Sequence, residues 1–128
     1  MSENKKFSEK FLDVLKHEGV VSITSWGVET HVANTWNSYL VATEDERILI
    51  PAYGFRKTEK NVNINSNVIL TLGSREVLGY KDYQGTGFVV RGTAKYISSG
   101  EEYDFMKEKF SFLTRVLEIT VETAKQML

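Results

Sequence analysis

Phe7, Phe11, Leu12 and Leu15 recur at helical spacing, with Glu9, Lys10, Asp13 and Lys16 between them. That pattern predicts an amphipathic helix of about three turns, with Gly19 as its C′ residue. The period then shortens. Val20 to Trp26 is rich in β-branched residues and reads as a strand, and Gly27 to Thr30 as a turn. His31 to Thr43 reads as one long second strand, with Asn34, Trp36, Ser38 and Leu40 on one face and Thr35, Asn37 and Tyr39 on the other. Ile48 to Ile50 is a third strand that should stop at Pro51, and Tyr53 to Arg56 a loop. Lys57 to Val62 predicts a short helical turn with Thr58 as N-cap. Val68 to Ser74 and Thr86 to Ile97 are a fourth and fifth strand, separated by a polar loop from Gly79 to Gly85. Ser99 and Glu102 fit a capping box that opens a helix with Tyr103, Met106 and Phe110 as its apolar stripe. Leu117, Ile119 and Val121 alternate with Glu118, Thr120 and Glu122 in a sixth strand.

Six strands at short spacing, with few helices between them, argue for a mainly β protein whose antiparallel sheet closes into a barrel flanked by short helices. The 128 residues suit one domain, 1–128. Sixteen basic residues against 17 acidic ones leave a net charge of -1, so no charge excess points to nucleic acid or to a membrane surface. The chain has no cysteine, which excludes disulfides, thiolate metal sites and cysteine catalysis. No segment approaches the ~18 consecutive apolar residues of a membrane span, and the polar stretch Met1 to Lys10 lacks a signal peptide's apolar run. The expected location is the cytoplasm.

Three stretches carry more polar or conformationally special residues than a bare barrel requires. Asn34-Thr35-Trp36-Asn37-Ser38-Tyr39 places polar and amphipathic groups consecutively where a strand usually buries one apolar face. A solvated edge strand with one anchoring tryptophan would account for it equally well. Lys57-Thr58, a cation and a hydroxyl at a helix start, suits a phosphate clamp helped by free backbone N–H groups and the helix dipole; an ordinary cap beside a solvated lysine is the plainer account. Leu72-Gly73-Ser74-Arg75 and Gly85-Thr86-Gly87 put glycine inside strands, which marks either a bulge or a close ligand approach. His17 and His31 have no partner at metal-ligand spacing, so no metal is expected. No nucleophile elbow or paired-carboxylate site is present, and catalytic residues stay unassigned.

Taken in order, Phe11 to Val21 (FLDVLKHEGVV), Asn34 to Leu40 (NTWNSYL), Lys57 to Val62 (KTEKNV), Leu70 to Arg75 (LTLGSR) and Gly85 to Gly92 (GTGFVVRG) closely resemble the small bacterial FMN-binding members of the pyridoxamine-phosphate-oxidase-like split-barrel superfamily. The resemblance runs from about Phe7 to the C-terminus. It implies a six-stranded antiparallel split β-barrel of Greek-key type with flanking short helices, a non-covalently bound FMN, and a homodimer with the flavin near the subunit interface. Carried over to this sequence, Asn34 and Thr35 would hydrogen-bond the flavin or its phosphate tail, and Trp36 would pack near the ring. Asn37 belongs to the same motif. Lys57 and Thr58 would hold the phosphate. Pro51, Ala52, Tyr53 and Gly54 would line the ring edge, and Ser74, Gly85, Thr86 and Gly87 would approach the cofactor, from the second subunit in one arrangement. Where the family has a second tryptophan, this chain has Phe110-Ser111-Phe112, and Phe112 would keep the stacking role without an indole N–H.

The chemistry agrees with that transfer. A phosphomonoester carries close to two negative charges at neutral pH, which a lysine, a hydroxyl and backbone N–H groups satisfy together. The flavin ring is apolar on its faces and polar along one edge, which suits aromatic side chains and asparagine respectively. The implied function is an FMN flavoprotein that passes electrons to a redox partner protein or accepts hydride from a nicotinamide donor as a flavin-dependent reductase. The alternatives are a pyridoxamine-phosphate-oxidase-type enzyme and a flavin-free binding module.

Overall fold

A computed structural model describes residues 5–128. Its elements, in chain order, are α1 (Glu9–Val14), β1 (Val20–Ser25), β2 (His31–Trp36), β3 (Val41–Ala42), β4 (Arg47–Ala52), α2 (Arg56–Ile64), β5 (Asn67–Leu78), β6 (Gln84–Ile97), α3 (Glu101–Lys109) and β7 (Arg115–Gln126). One-turn 3-10 helices fill Asn37–Tyr39 and Tyr80–Asp82. All strands join one antiparallel sheet in the order β2-β1-β5-β6-β7-β4-β3. The two outermost strands are neighbours in sequence, joined by the turn at Asn37–Tyr39, so the sheet curls into a split barrel.

The barrel interior is filled by alternate residues of each strand, as a period of two requires. Val21 and Ile23, Ile48 and Ile50, Leu70 and Leu72, Phe88 and Val90, and Leu117 and Ile119 pack together with Phe7, Phe11 and Val14. Helix α1 thus plugs the barrel. Phe7 stacks on Phe11 at 4.9 Å, and Phe11 meets Phe88 edge-on at 5.3 Å. On the other face of β4, Leu49 lies with Met106, Leu113 and Val116 under α3. Strand β4 is apolar on both faces because it is covered on both.

Several local expectations are corrected. The long second strand breaks after Trp36, which makes seven strands instead of six and puts Thr35, Asn37 and Leu40 inside. The cause is Asn37. Its Nδ2 donates to the carbonyls of Val14, His17 and Gly73 at 3.3, 3.0 and 3.0 Å, and its backbone N–H donates to Gly19 O. An extended chain could not present Asn37 to all four. Gly19 is no helix C′ residue, since α1 ends at Val14 with Leu15 as its C-cap. It is glycine because a Cβ there would sit 2.1 Å from Gly73 O and 2.5 Å from Asn37 Nδ2. Strand β4 continues through Pro51, which pairs with Val116. Strand β3 pairs only with Ile48 and Leu49, so the missing N–H of Pro51 breaks no ladder.

Helix α2 starts earlier than expected and Thr58 lies inside it. Its N-cap position is Phe55, in a left-handed conformation (φ 55°, ψ 36°), with no side-chain cap. Helix α3 has Gly100 at its N-cap, and Ser99 makes no capping bond. Glu102 turns instead to Arg47, at 2.6 Å.

Candidate functional site

The split side of the barrel carries a cleft of about 180 Å³ lined by Asn34, Thr35, Trp36, Tyr39, Pro51, Tyr53, Phe55 and Phe112. Strand β2 supplies the first three. The end of β4 and the turn after it supply Pro51, Tyr53 and Phe55, and the segment before β7 supplies Phe112. Trp36, Tyr53 and Phe112 are 48, 70 and 44% exposed, high values for aromatic side chains standing together. Tyr39 supports Phe112, with ring centres 5.4 Å apart, and touches Phe110 at 5.3 Å.

Asn34 is exposed and donates from Nδ2 to Val21 O at 3.2 Å, which orients its amide. Thr35 is buried. Along the same strand and the first turn of α2 lies a second cleft of about 170 Å³, lined by Val28, Glu29, His31, Lys57, Lys60 and Asn61. Asn61 fixes the β1–β2 turn to α2: its Oδ1 accepts from Val28 N–H at 2.6 Å, and its Nδ2 donates to Ser25 Oγ and Glu29 O.

The start of α2 is chemically unfinished. No side chain caps it, so the N–H groups of Arg56, Lys57 and Thr58 lack intrahelical acceptors. Thr58 Oγ1 is fully buried and has no hydrogen-bond partner among the described residues. Lys57 is exposed and forms no ion pair among the described residues. The acid of this turn, Glu59, is already taken by Arg56 at 3.1 Å and Arg115 at 3.2 Å. The unpaired lysine and the free N–H groups are a donor set without an acceptor, and the orphan Thr58 hydroxyl is buried in the same turn and lines neither cleft. These donors fit a phosphate group. The exposed aromatic cleft beside them fits a flat ring.

The structure brings Asn34, Thr35, Trp36, Pro51, Tyr53 and Phe112 into one cleft and Lys57 into its neighbour. Ser74, Gly85 and Thr86 line a different groove, with Gly19, Tyr83 and Leu128. There the Ser74 hydroxyl accepts from Glu76 N–H and the Thr86 hydroxyl donates to Leu128 O. Gly87 lies beside Leu72 O and a Leu128 methyl. Ala52 is buried, and its carbonyl accepts from Thr114. Gly54 has φ +80° with open space where a Cβ would stand, so its glycine serves the turn. Asn37 lines none of these clefts, because its side chain is buried with Nδ2 spent on carbonyls inside the fold.

Tyr39 and Phe55, which line the cleft, and Arg115 and Tyr96, which bond the turn beside it, are not marked by the sequence pattern. Tyr39 sits in the same motif as Trp36 and was within reach of the pattern. Arg115 is a charged residue opening an apolar strand, a signal that names no partner.

A curled antiparallel sheet, split at its two edge strands and carrying its cleft there, defines the FMN-binding-type split barrel as a fold class. Within that class the chain belongs to the pyridoxamine 5′-phosphate oxidase family, whose sequence profile matches residues 7–128. It is similar to an FMN-binding protein of Nitratidesulfovibrio vulgaris, 44% identical over 119 residues, which cover 92% of this chain and 96% of that protein. Among solved structures, HupZ of Group A Streptococcus superposes with a TM-score of 0.77 at 15% identity, covering 94% of this chain and 93% of that one. An FMN-binding protein of Syntrophomonas wolfei superposes with a TM-score of 0.67 at 16% identity, covering 98% and 85%. At such identities these two structures speak for the fold alone.

Proposed function

We propose that this chain is a cytoplasmic flavoprotein that holds one FMN non-covalently near a homodimer interface and serves in electron transfer or flavin-dependent reduction. The observation that carries the reading is the unfinished start of α2 beside an exposed aromatic cleft: donors without an acceptor next to ring-sized apolar surface. The relative from Nitratidesulfovibrio vulgaris, similar over nearly its whole length and called an FMN-binding protein, supports the choice of ligand.

Bound FMN supplies the redox chemistry, and the protein's part is to hold it and control access to it. Lys57 and Thr58, with the first N–H groups of α2, hold the phosphate. Asn34, whose amide is oriented by Val21 O, meets a polar edge of the ring. Trp36, Tyr53 and Phe112 cover its faces and exclude water. The exposure of those aromatics also supports a partner subunit closing over the cleft. Among the described residues no helix is long and apolar enough to cross a membrane.

The test begins with the visible spectrum of the purified protein, which should show flavin bands or acquire them on adding FMN. Lys57→Ala should then weaken FMN binding by about ten- to a hundredfold, the worth of one charged hydrogen bond, and leave riboflavin binding nearly unchanged. A protein that takes up no FMN would overturn the reading, and equal losses for both ligands would overturn the assignment of Lys57. Anaerobic bleaching by NADH or NADPH separates a reductase from a carrier.

A further inference from the structure

The chain turns into α2 through two consecutive left-handed residues, Gly54 at φ 80° and Phe55 at φ 55°. Glycine adopts that region freely, but a bulky side chain such as phenylalanine does so only when its surroundings impose it. Those surroundings lie directly beneath. The carbonyl of Ala52 accepts from Thr114 N–H at 2.9 Å and from Thr114 Oγ1 at 3.2 Å. The carbonyl of Gly54 accepts from Arg115 Nη2. The carbonyl of Phe55 accepts from Tyr96 OH at 3.2 Å as well as from Glu59 N–H. Three of the turn's four carbonyls are therefore held from the ends of β6 and β7.

The two long side chains also hold each other. The Arg115 guanidinium lies over the Tyr96 ring, 5.0 Å from its centre, and binds Glu59 of α2 at 3.2 Å. Arg115 is almost fully buried, with Nη1 on Thr114 Oγ1. A buried arginine is expensive in a small barrel, and its removal leaves the Gly54 carbonyl and the Thr114 hydroxyl oxygen without this donor and Glu59 with Arg56 alone. Burial raises the Tyr96 phenol well above its ordinary range, so it stays a hydrogen-bond donor at any physiological pH.

We propose that Arg115 and Tyr96 are positioning residues: they lock the Gly54-Phe55 turn so that Lys57, Thr58 and the first N–H groups of α2 are preset for a phosphate before the ligand arrives. This rests on the flavin reading above and adds the source of its selectivity for the phosphorylated ligand. Preorganised donors bind more tightly than donors that must be ordered on binding. Neither residue contacts the ligand; both act through the turn.

The experiment compares FMN and riboflavin affinities, by fluorescence titration, in the unsubstituted protein, Tyr96→Phe and Arg115→Lys. Tyr96→Phe keeps the ring and deletes one donor. Arg115→Lys keeps the charge and deletes the planar fork. Each should weaken FMN binding about tenfold, the net worth of a hydrogen bond, while riboflavin affinity stays within about twofold, so the preference ratio falls. Without ligand, hydrogen exchange at Glu59, whose N–H donates to the braced Phe55 carbonyl, should speed up in both variants relative to the β5 and β6 strands. FMN bound with an unchanged preference ratio, or equal weakening of both ligands, would overturn the inference and leave the flavin site standing. An unsubstituted protein that binds no FMN would overturn both.

Discussion

The seam around Asn37 and the cleft around Asn34 are three residues apart in sequence and use the same side chain in opposite ways. At the seam the fold completes every requirement of the amide's donor end: Asn37 Nδ2 reaches three carbonyls, from the end of α1, the segment after it and β5, at a point where Gly19 and Gly73 let backbones approach. At the cleft the fold stops short. Asn34 stands exposed on one hydrogen bond, Thr58 Oγ1 is buried with none among the described residues, and Trp36 and Tyr53 face outward. Buried polar groups are normally satisfied. Asn37 Oδ1 is itself buried without a partner among the described residues, so what sets the cleft apart is exposure: under the proposed function, Asn34, Trp36 and Tyr53 stand open where a ligand would bind. Under the proposed function, polar residues in one motif divide into those that build the fold and those that meet the ligand.

The largest effect should come from the seam. Asn37→Leu strips the donors from three backbone carbonyls and forces a branched side chain into the gap left by Gly19 and Gly73. It should cost about 3 kcal/mol of folding free energy, read as a lower midpoint in urea. Asn34→Ala should cost less than about 1 kcal/mol. If the two substitutions cost the same, the division between seam and cleft is wrong.

The sheet was readable from the sequence wherever neighbours in the chain were enough to specify it. Val68, Leu70 and Leu72, or Phe88, Val90 and Ala94, fall at even spacing because one face of each strand is interior. What could not be read were choices made by distant partners. Asn37 breaks its strand because Val14, His17 and Gly73 are there to accept. Glu102 leaves its capping box because Arg47, 55 residues away, binds it better. Thr58 ceases to be a cap because Phe55 is held left-handed from β6. The cleft's members other than Tyr39 and Phe55 follow from the resemblance to a family. The brace of Arg115 and Tyr96 does not, since no local pattern marks it.

An intermediate case lies on the outer face, where polar groups are satisfied but half in water. Arg47 binds Asp45 at 3.0 Å, Glu102 at 2.6 Å and Glu118, tying α3 to β4 and β7. The Arg47 guanidinium, by hydrogen bonding, holds the carboxyls of Glu102 and Asp45 below their ordinary values. The sign follows. A lowered folded value means the native state holds fewer protons than the unfolded one, so the stabilisation is present above the ordinary glutamate value of 4.5 and lost as pH falls through the lowered one. Glu102 is 38% exposed, which screens the pair. Glu102→Gln should therefore cost only about 0.5 kcal/mol near neutrality, and its urea midpoint should fall less on acidification than the unsubstituted protein's. Parallel pH profiles would remove Glu102 from the cluster's energetics.

The smallest effect on folding should come from the cleft, and there it sharpens the contrast most. Trp36 is half exposed, and its strand partner is Val20, itself exposed. Trp36→Leu should leave the unfolding free energy within about 0.5 kcal/mol. The same substitution should brighten the emission of bound FMN, because an indole beside a flavin quenches it by donating an electron, and leucine cannot. A marked loss of stability would make Trp36 a core residue that happens to be exposed, and unchanged emission would move the ring away from β2. A neutral effect on folding joined to a bright flavin would mean that this tryptophan is kept for the ligand, as Asn37 is kept for the chain.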